Sequence, residues 1–384
     1  MSVFCQSALN YSVKFSNLLE KYKVPNFLVP NHFRPLEVYD PDDATEIEQD
    51  PDAERKNVYY TVYTFDETSA EIFKTKSVKD CFIDYQNLDK VIWINVDGIR
   101  RKDVRRLCSH FNVHNLLVND IVSIGQRSKT DEIDEHFFSL LPMLTYNEEL
   151  QLVEKEQLSI LLGKNYVISF QAEHKRDPFG EIRKKLKNRL DAVRKKSADY
   201  LYYQLVDAVV DDYFEVLESL ATRLEVLEHK AIAVSTQNSI LLEISALRNE
   251  IMVMRRAMTP VKDVVYSLWQ ANSPLMDNRN SRFFKDVYDH IQLAIEYNEG
   301  YREMTINLQD LYMNQVNTRM NEVMKILTMV TVLLAPATVI GGIFGMNFDR
   351  IPLMHNQVGF FLTIFLMFGI SIVMILYFKK KGWF

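Results

Sequence analysis

The spacing of apolar residues along the chain changes near residue 178. Before that point, segments rich in β-branched and aromatic residues predict strands at 58–65, 91–96 and 157–171. The last segment contains Gly163-Lys164-Asn165, which predicts a hairpin turn between two strands. Residues 102–111 carry a helical pattern between the strands. We therefore predict a mixed α/β domain over residues 57–177, after an acidic and partly mobile segment over residues 1–56.

From residue 178 onward the apolar spacing is helical. Leu217, Leu220, Leu224 and Leu227 recur three and four positions apart, which predicts a seam of helix packing within a helical segment, 178–279. Pro260 and Pro274 are expected to interrupt the helices of this segment. The next proline is Pro336, and the intervening pattern is helical. We therefore predict one very long helix over residues 280–344.

Two uncharged apolar runs close the sequence, Leu327 to Phe344 and Gly359 to Phe378. At about 1.5 Å per residue, each is close to the thickness of a bilayer core, so we predict membrane spans at about 327–344 and 359–378. Basic residues flank the pair, with Lys325 before the first span and a basic tail, 379–384, after the second. The positive-inside rule then places both termini in the cytoplasm and the short loop, 345–358, outside a cell inner (plasma) membrane.

Composition narrows the classes of protein that fit this layout. The chain has 384 residues, 25% of them charged, and its mildly acidic net charge of −6 argues against a nucleic-acid partner. Its three cysteines are too widely spaced for a CxxC metal clip. His110, His114 and His136 lack metal-ligand spacing and are interpreted as surface or capping residues. The sequence has no Walker A loop, HExxH or GxSxG motif, so we predict neither an enzyme nor an organic cofactor.

One seam of the long helix is almost wholly polar or small at alternating steps of three and four. Two spans in one subunit cannot enclose an aqueous path, so transport would require several subunits around a shared axis. Parallel helices that supercoil would align this seam along such a water-filled axis. The alternatives are the solvent face of a surface helix and, for the threonines, ordinary contacts between spans. The seam comprises Glu303, Asn307, Asp310, Asn314, Asn317, Asn321, Met324, Leu327 or Thr328, Thr331, Ala335, Thr338, Gly342 and Gly345.

The seam offers oxygen ligands and no histidine or cysteine. Such a lining suits hard cations, because a hydrated Mg²⁺ can hydrogen-bond to neutral oxygens without losing its water. Met324 and Leu327 would form a hydrophobic ring that closes the path by dewetting. Gly345-Met346-Asn347 ends the first span, either as a glycine cap or as a ring of Asn347 amides at the outer mouth.

The Gly345-Met346-Asn347 tripeptide after a first span near the C-terminus resembles the signature of the CorA magnesium transport family. Its surroundings agree, namely NEVMKILT at 321–328, IFGMNF at 343–348 and YFKKKGWF at 377–384. The resemblance extends upstream to DAVVDDYF at 207–214 and FKDVYDH at 284–290, and it covers roughly residues 58–384.

The resemblance implies an α+β cytosolic domain with a mixed sheet, a long stalk helix and two C-terminal transmembrane helices, in a funnel-shaped homopentamer. Magnesium would be both the transported ion and a regulatory ion bound between subunits by Asp120 and Asp286, holding the pore closed when internal magnesium is high. The selectivity residues would be Gly345, Met346 and Asn347. The pore-lining and gate residues would be Asp310, Asn314, Asn321, Met324, Leu327, Thr338 and Gly342, with Leu327 rather than Thr328 at the gate. The seam itself adds Asn317 and Thr331 to the predicted pore-lining residues.

Two departures from the family pattern bear on these expectations. Asn119 stands where many relatives carry a glutamate, which removes a carboxylate from the regulatory site. The outer loop FDRIPLMHNQ, 348–357, carries no glutamate, which puts an acidic outer ring in doubt. A zinc transporter of the same superfamily is the alternative function, although Met346 favours the magnesium branch and also allows cobalt or nickel. A further alternative is a structural scaffold or sensor with the same fold that does not conduct ions.

Overall fold

The computed structural model describes residues 58–85, 90–172, 177–188, 192–232, 239–346 and 357–383. The chain divides into two units, Met1–Ala53 and Glu54–Phe384. The first unit, and with it the acidic segment predicted over 1–56, lies outside the described residues. Everything that follows concerns the second unit.

The second unit is built on a seven-stranded sheet with the strand order β2-β1-β3-β7-β6-β5-β4. Neighbouring strands are antiparallel except β3 and β7, which run parallel. The predicted hairpin at Gly163 joins β6 to β7, and the Gly163 N–H donates to the Tyr166 carbonyl at 2.9 Å. A Cβ on Gly163 would lie 2.3 Å from the Tyr166 ring, so this turn requires glycine. The strands are β1 Tyr59–Phe65, β2 Ala70–Thr75, β3 Val91–Asp97, β4 Lys129–Ile133, β5 His136–Asn147, β6 Leu152–Leu162 and β7 Tyr166–Gln171.

The longest strand, β5, contains Pro142, which cannot donate to a ladder. β4 pairs with β5 only as far as Leu140, so Pro142 lies beyond the end of β4 and pairs only with Gln157 of β6. The Tyr213 hydroxyl donates to the Pro142 carbonyl at 2.6 Å. The proline therefore occupies a part of β5 that has no neighbouring strand on one side.

Helices cover both faces of the sheet. Ile92, Ile94 and Val96 of β3 pack on one face against α1 (Arg101–His110) and α2 (Asn115–Val122). Trp93, between them in sequence, belongs to the core on the opposite face, since successive side chains of a strand alternate. That second core is closed by α3 (Gly180–Lys187), α4 (Ala198–Ile232), α5 (Ser239–Trp269) and the start of the helix that follows.

The seam predicted from the leucines of α4 is confirmed, because Leu217, Leu220, Leu224 and Leu227 are all buried. The prediction that Pro260 interrupts a helix is wrong, because it lies inside α5. Ala257, Met258 and Val261 around it are buried in the core. Their packing offsets the roughly 3 kcal/mol that a proline costs inside a helix.

The last two helices are α6 (Ser281–Phe344) and α7 (Gln357–Lys380). α6 has 64 residues, which makes it roughly 96 Å long at 1.5 Å per residue. Each helix contains an apolar window long enough to cross a membrane, and only 6% of either window is buried within the chain. A mixed sheet domain, a long helix and two apolar C-terminal helices confirm the predicted fold class.

Candidate functional site

The N-terminal half of α6 has a dry face that packs against α4 and α5. Its buried residues recur three, four or seven positions apart and comprise Phe284, Val287, Ile291, Ala294, Asn298, Thr305, Leu308 and Tyr312. The predicted polar seam lies on the opposite side. Asp310 is two positions from both Leu308 and Tyr312, and two positions rotate a helix by about 200°. Asp310, Asn314, Asn317 and Asn321 are accordingly exposed.

The membrane half of α6 repeats this division, with α7 as the covering element. Met329 is the one described residue of the first apolar run that is buried, at 7% exposure. The Ser371 hydroxyl of α7 donates to the Leu333 carbonyl at 3.1 Å. Leu327 and Thr331 each lie two positions from Met329, on the side of α6 away from these contacts, and both are exposed. Met324, Thr338 and Gly342 of the seam are exposed as well.

The threonines of α6 direct their hydroxyl protons to their own backbone. Thr328 donates to the Met324 carbonyl and Thr331 to the Leu327 carbonyl, both at 2.8 Å. Thr338 donates to the Leu334 carbonyl at 3.1 Å. A hydroxyl with its proton engaged in this way presents acceptor lone pairs outward. The seam therefore offers oxygen acceptors to a cation or its hydration shell, interrupted by the apolar Met324 and Leu327.

At its C-terminal end, α6 stops at Phe344 and Gly345 follows as its cap. Gly345 has φ −86°, so it is not the left-handed cap that favours glycine. A Cβ there would instead lie 3.2 Å from the Gly341 carbonyl, whereas at Gly341 and Gly342 it would meet nothing within 4 Å in the described part of the chain. Met346 is exposed, and the predicted selectivity residue Asn347 lies outside the described residues.

The predicted regulatory residues lie on different elements of this chain. Asp120, near the end of α2, is half-buried, and its Oδ2 atom forms an ion pair with Lys129 Nζ at 2.7 Å. Asp286 is exposed in the first turns of α6. Within one chain, therefore, Asp120 already has a cationic partner, and Asp286 is open to a neighbour.

A cluster that the sequence analysis did not single out as ligands lies beside Asp286. Asp207 and Asp211 on α4 and His290 on α6 place their ligand atoms within 4.8 Å of one another. His290 Nδ1 is 3.2 Å from Asp211 Oδ1. Burial and then the charge of Asp211 raise the pKa of Asp207 to about 6, against opposing effects of the Tyr203 hydroxyl and His290, while Asp286 adds the smallest contribution. The signal in the sequence was a pair of i,i+4 spacings, Asp207/Asp211 and Asp286/His290, on two helices.

Repulsion among these carboxylates would fall if a divalent cation bound them. Two carboxylates and an imidazole are one possible ligand set for such an ion. The neighbouring groove between α3 and α4 adds further acidic side chains, Asp177, Glu181, Asp212 and Glu215, beside Lys185. Arg183 pairs with Asp177 and Lys184 with Glu181, so the acidic character of this groove is partly compensated.

Of the three histidines noted in the sequence, His114 agrees with the prediction and His136 does not. His114 is the N-cap of α2 and its Nδ1 atom accepts from the Leu116 N–H, as expected. His136 is buried at 3% exposure, so its interpretation as a surface or capping residue is wrong. Its Nε2 lies 2.7 Å from the Tyr166 hydroxyl and 3.1 Å from the Phe111 carbonyl, and burial lowers its pKa. His136 is a structural residue of the β5–β7 core.

Comparison with known proteins agrees with this fold. The family model described as CorA-like Mg²⁺ transporter protein matches residues 89–380. The cobalt/magnesium transport protein CorA of Thermotoga maritima is 35% identical over 312 residues, which cover 81% of this chain and 88% of that one. A long helix with a polar seam that continues into a membrane span defines a class of membrane transport proteins. Within that class, the chain belongs to the CorA family of divalent cation transporters.

Two solved structures share the fold. The complete CorA magnesium transporter of Methanocaldococcus jannaschii superposes with a TM-score of 0.71 at 23% identity, covering 84% of this chain and 98% of that one. The cytoplasmic domain of ZntB from Vibrio parahaemolyticus superposes with a TM-score of 0.54 at 16% identity, covering 67% and 99%. At these identities the likeness establishes the fold and does not distinguish the transported ion.

Proposed function

We propose that this chain is one subunit of a homopentameric channel that admits Mg²⁺ into the cell down its electrochemical gradient, with Co²⁺ and Ni²⁺ as further substrates. The observation that carries the proposal is the exposed seam of α6. It runs from Asp310 to Gly342 on the side of the helix that neither α4 and α5 nor α7 covers. The names of the CorA relatives, which include cobalt and magnesium transport, support the choice of ions.

In this channel the seams of several α6 helices line one aqueous path. Asp310, Asn314, Asn317 and Asn321 form its cytosolic part, and the Met324 and Leu327 side chains form rings that close it by dewetting. Thr331, Thr338 and Gly342 line the membrane part. The tripeptide Gly345, Met346 and Asn347 forms the outer mouth, where amide oxygens hold a hydrated cation. Neutral oxygens suit Mg²⁺ because it gives up its hydration water reluctantly.

The arrangement in the membrane follows from the same surfaces. The bare backbone at Gly341 and Gly342 lets neighbouring helices approach closely. Lys379, Lys380 and Lys381 are charged residues at the inner end of α7, which supports an inner-membrane location with both termini in the cytoplasm.

Regulation is assigned to Mg²⁺ bound between cytosolic domains, with Asp286 of one subunit facing Asp120 of the next. Both carboxylates would repel one another without the ion, so loss of Mg²⁺ would loosen the interface and open the gate. Asp207, Asp211 and His290 lie beside Asp286 and extend this acidic surface. Lys129, already on Asp120, would have to share that carboxylate with the ion.

The test is cation flux into proteoliposomes under an inside-negative potential, with Mg²⁺, Ni²⁺ and Zn²⁺ measured separately. Asn347→Ala is compared with Asn249→Ala, an exposed asparagine on α5 far along the chain from the seam. We expect the wild type and Asn249→Ala to carry Mg²⁺ and Asn347→Ala to lose it. A wild type that carries Zn²⁺ and no Mg²⁺ at any internal Mg²⁺ level would establish the zinc transporter instead.

A further inference from the structure

The residues that follow α7 fold back onto the inner end of the pore helix. Gly382 has φ +70°, a left-handed conformation that favours glycine, and it turns the chain after Lys381. The Trp383 N–H donates to the Phe378 carbonyl at 3.0 Å. The Trp383 ring then stacks on the Phe378 ring, with centroids 5.2 Å apart and planes 11° from parallel. Phe378 is only 7% exposed, whereas Phe365 on the same helix is 77% exposed.

This turn binds one side chain of α6. Lys325 Nζ donates to the Gly382 carbonyl at 3.2 Å. The same ammonium lies 5.9 Å from the centroid of the Trp383 ring. A charge-assisted hydrogen bond and a cation–π contact therefore hold one ammonium against a segment 57 positions away in sequence. We call Lys325, Phe378, Gly382 and Trp383 the clasp.

Lys325 lies beside the seam at the height of the proposed gate. It is about 100° around the helix from Met324, about 60° from Thr328 and about 160° from Leu327. A lysine side chain is long and flexible enough to sweep across such an arc. An ammonium released from the clasp would thus be able to turn towards the Met324 and Thr328 side. One such charge from each subunit would repel a divalent cation at the narrowest apolar part of the path.

We propose that the clasp keeps the Lys325 ammonium off the pore axis, which makes Trp383 a positioning residue for cation conduction. The inference rests on the proposed channel function. It concerns a side chain that the seam does not contain, and it differs from a role for Lys379, Lys380 and Lys381, whose side chains are exposed. A tryptophan that only anchors α7 at the membrane surface would act without regard to Lys325.

The first experiment measures Mg²⁺ flux in proteoliposomes for Trp383→Ala, Lys325→Gln and the double variant. We expect Trp383→Ala to lower flux about fivefold, as a coupling of ordinary size would. Lys325→Gln should conduct at least as well as the wild type, and the double variant should match Lys325→Gln. The aromatic control on α7 is Phe365→Ala, which should conduct like the wild type. A loss of flux that is equal in Trp383→Ala and the double variant overturns the proposal, as does unchanged flux in Trp383→Ala.

A second experiment detects the clasp without ion flux. The full chain in detergent is treated with an amine-acylating reagent, and labelling of Lys325 and Lys380 is quantified by mass spectrometry. We expect Trp383→Ala to increase labelling of Lys325 and to leave Lys380 unchanged. Equal labelling of Lys325 in both proteins would show that the clasp does not hold it, and would overturn the proposal while leaving the channel function intact. If Lys325 labelling differs between the wild type and Trp383→Ala but the wild type carries no cation, both the channel function and the role of the clasp in it would be overturned.

Discussion

The two sides of α6 use the same three- and four-residue spacing with opposite chemistry. One side carries Phe284, Val287 and Ile291, all buried against α4 and α5. The other carries Asn314, Asn317 and Asn321, all exposed. Both spacings would align residues along a neighbouring helix, but only the first finds its neighbour within this chain. The second side has the periodicity of an interface and no partner among the described residues, which is the expected arrangement when the partner is a water-filled path between subunits.

A polar residue inside the dry side sharpens the contrast. Asn298 is fully buried among the apolar residues, and its Nδ2 donates to the Ile251 carbonyl of α5 at 3.2 Å. Its Oδ1 has no hydrogen-bond partner in the described part of the chain. A single asparagine in an apolar seam fixes the register of packed helices at some cost in stability. The asparagines on the exposed side pay no such cost.

The largest difference in stability is expected between two variants that carry the same substitution on opposite sides of α6. Asn298→Asp places an uncompensated carboxylate in the core and should lower the free energy of unfolding by about 3–5 kcal/mol at pH 8. The loss should shrink at pH 5, because burial raises the pKa of such a carboxyl and protonation removes its charge. Asn314→Asp should stay within about 0.5 kcal/mol of the wild type. Thermal unfolding of the full chain in detergent measures both, and equal losses would contradict the division into a dry and a wet side.

An intermediate effect on stability is expected at the acidic cluster, where α6 packs against α4. The pKa of Asp207 is raised to about 6, so the folded chain binds its proton more tightly than the unfolded chain. That contribution to stability is complete at pH values below the unfolded pKa and is lost as the pH rises through about 6. Asp207→Asn should therefore be more stable than the wild type at pH 8 by about 3 kcal/mol, and nearly equal in stability at pH 3.5.

A second experiment on the same cluster varies the concentration of Mg²⁺ instead of the pH. Mg²⁺ in the millimolar range should raise the unfolding temperature of the wild type at pH 8 more than that of Asp207→Asn, since the ion relieves repulsion among Asp207, Asp211 and Asp286. Glu228→Gln, an exposed position on α4, is the matched charge control. A Mg²⁺ response that is identical in Asp207→Asn and the wild type would remove this cluster from the regulatory surface.

The smallest effect is expected where α7 covers α6. The Ser371 hydroxyl shares its proton between the Leu333 carbonyl of α6 and the Met367 carbonyl of its own helix, both at 3.1 Å. Leu333 lies three residues before Pro336, where the helix ladder is weakened. Ser371→Ala should lower the free energy of unfolding by about 0.6 kcal/mol, the size of an average hydrogen bond between spans. Thr363→Ala is the control, because the Thr363 hydroxyl bonds only to Gly359 in its own helix among the contacts described. Equal losses in the two variants would argue that the Ser371 contact does not hold the spans together.

Much of the architecture could be predicted because it depends on local pattern. The strands β1, β3, β6 and β7, and the turn at Gly163, follow from β-branched residues and turn chemistry. The strands β2, β4 and β5 were not predicted. β2 is exposed along its length and carries charged residues, and β5 contains a proline whose tolerance depends on where β4 ends. Pro260 was misread for the same reason, since burial around it outweighs its local preference.

The candidate site also contains one part that could be predicted from the sequence and others that could not. The seam of α6 could be predicted because residues on one helix have a known angular relationship, whatever surrounds the helix. The cluster of Asp207, Asp211 and His290 could not, because it needs the packing of α4 against α6. The clasp between Lys325 and Trp383 also joins positions far apart in sequence.

The period of each segment, the two apolar runs and the polar seam can all be read from the sequence, because they are properties of neighbouring residues along one helix or strand. Which side of α6 is covered becomes known only from the folded molecule. The choice depends on where α4, α5 and α7 lie, and burial is a property of the surroundings rather than of the residue. The same reason explains why Asn298 is buried and Asn314 is exposed, although both are asparagines on one continuous helix.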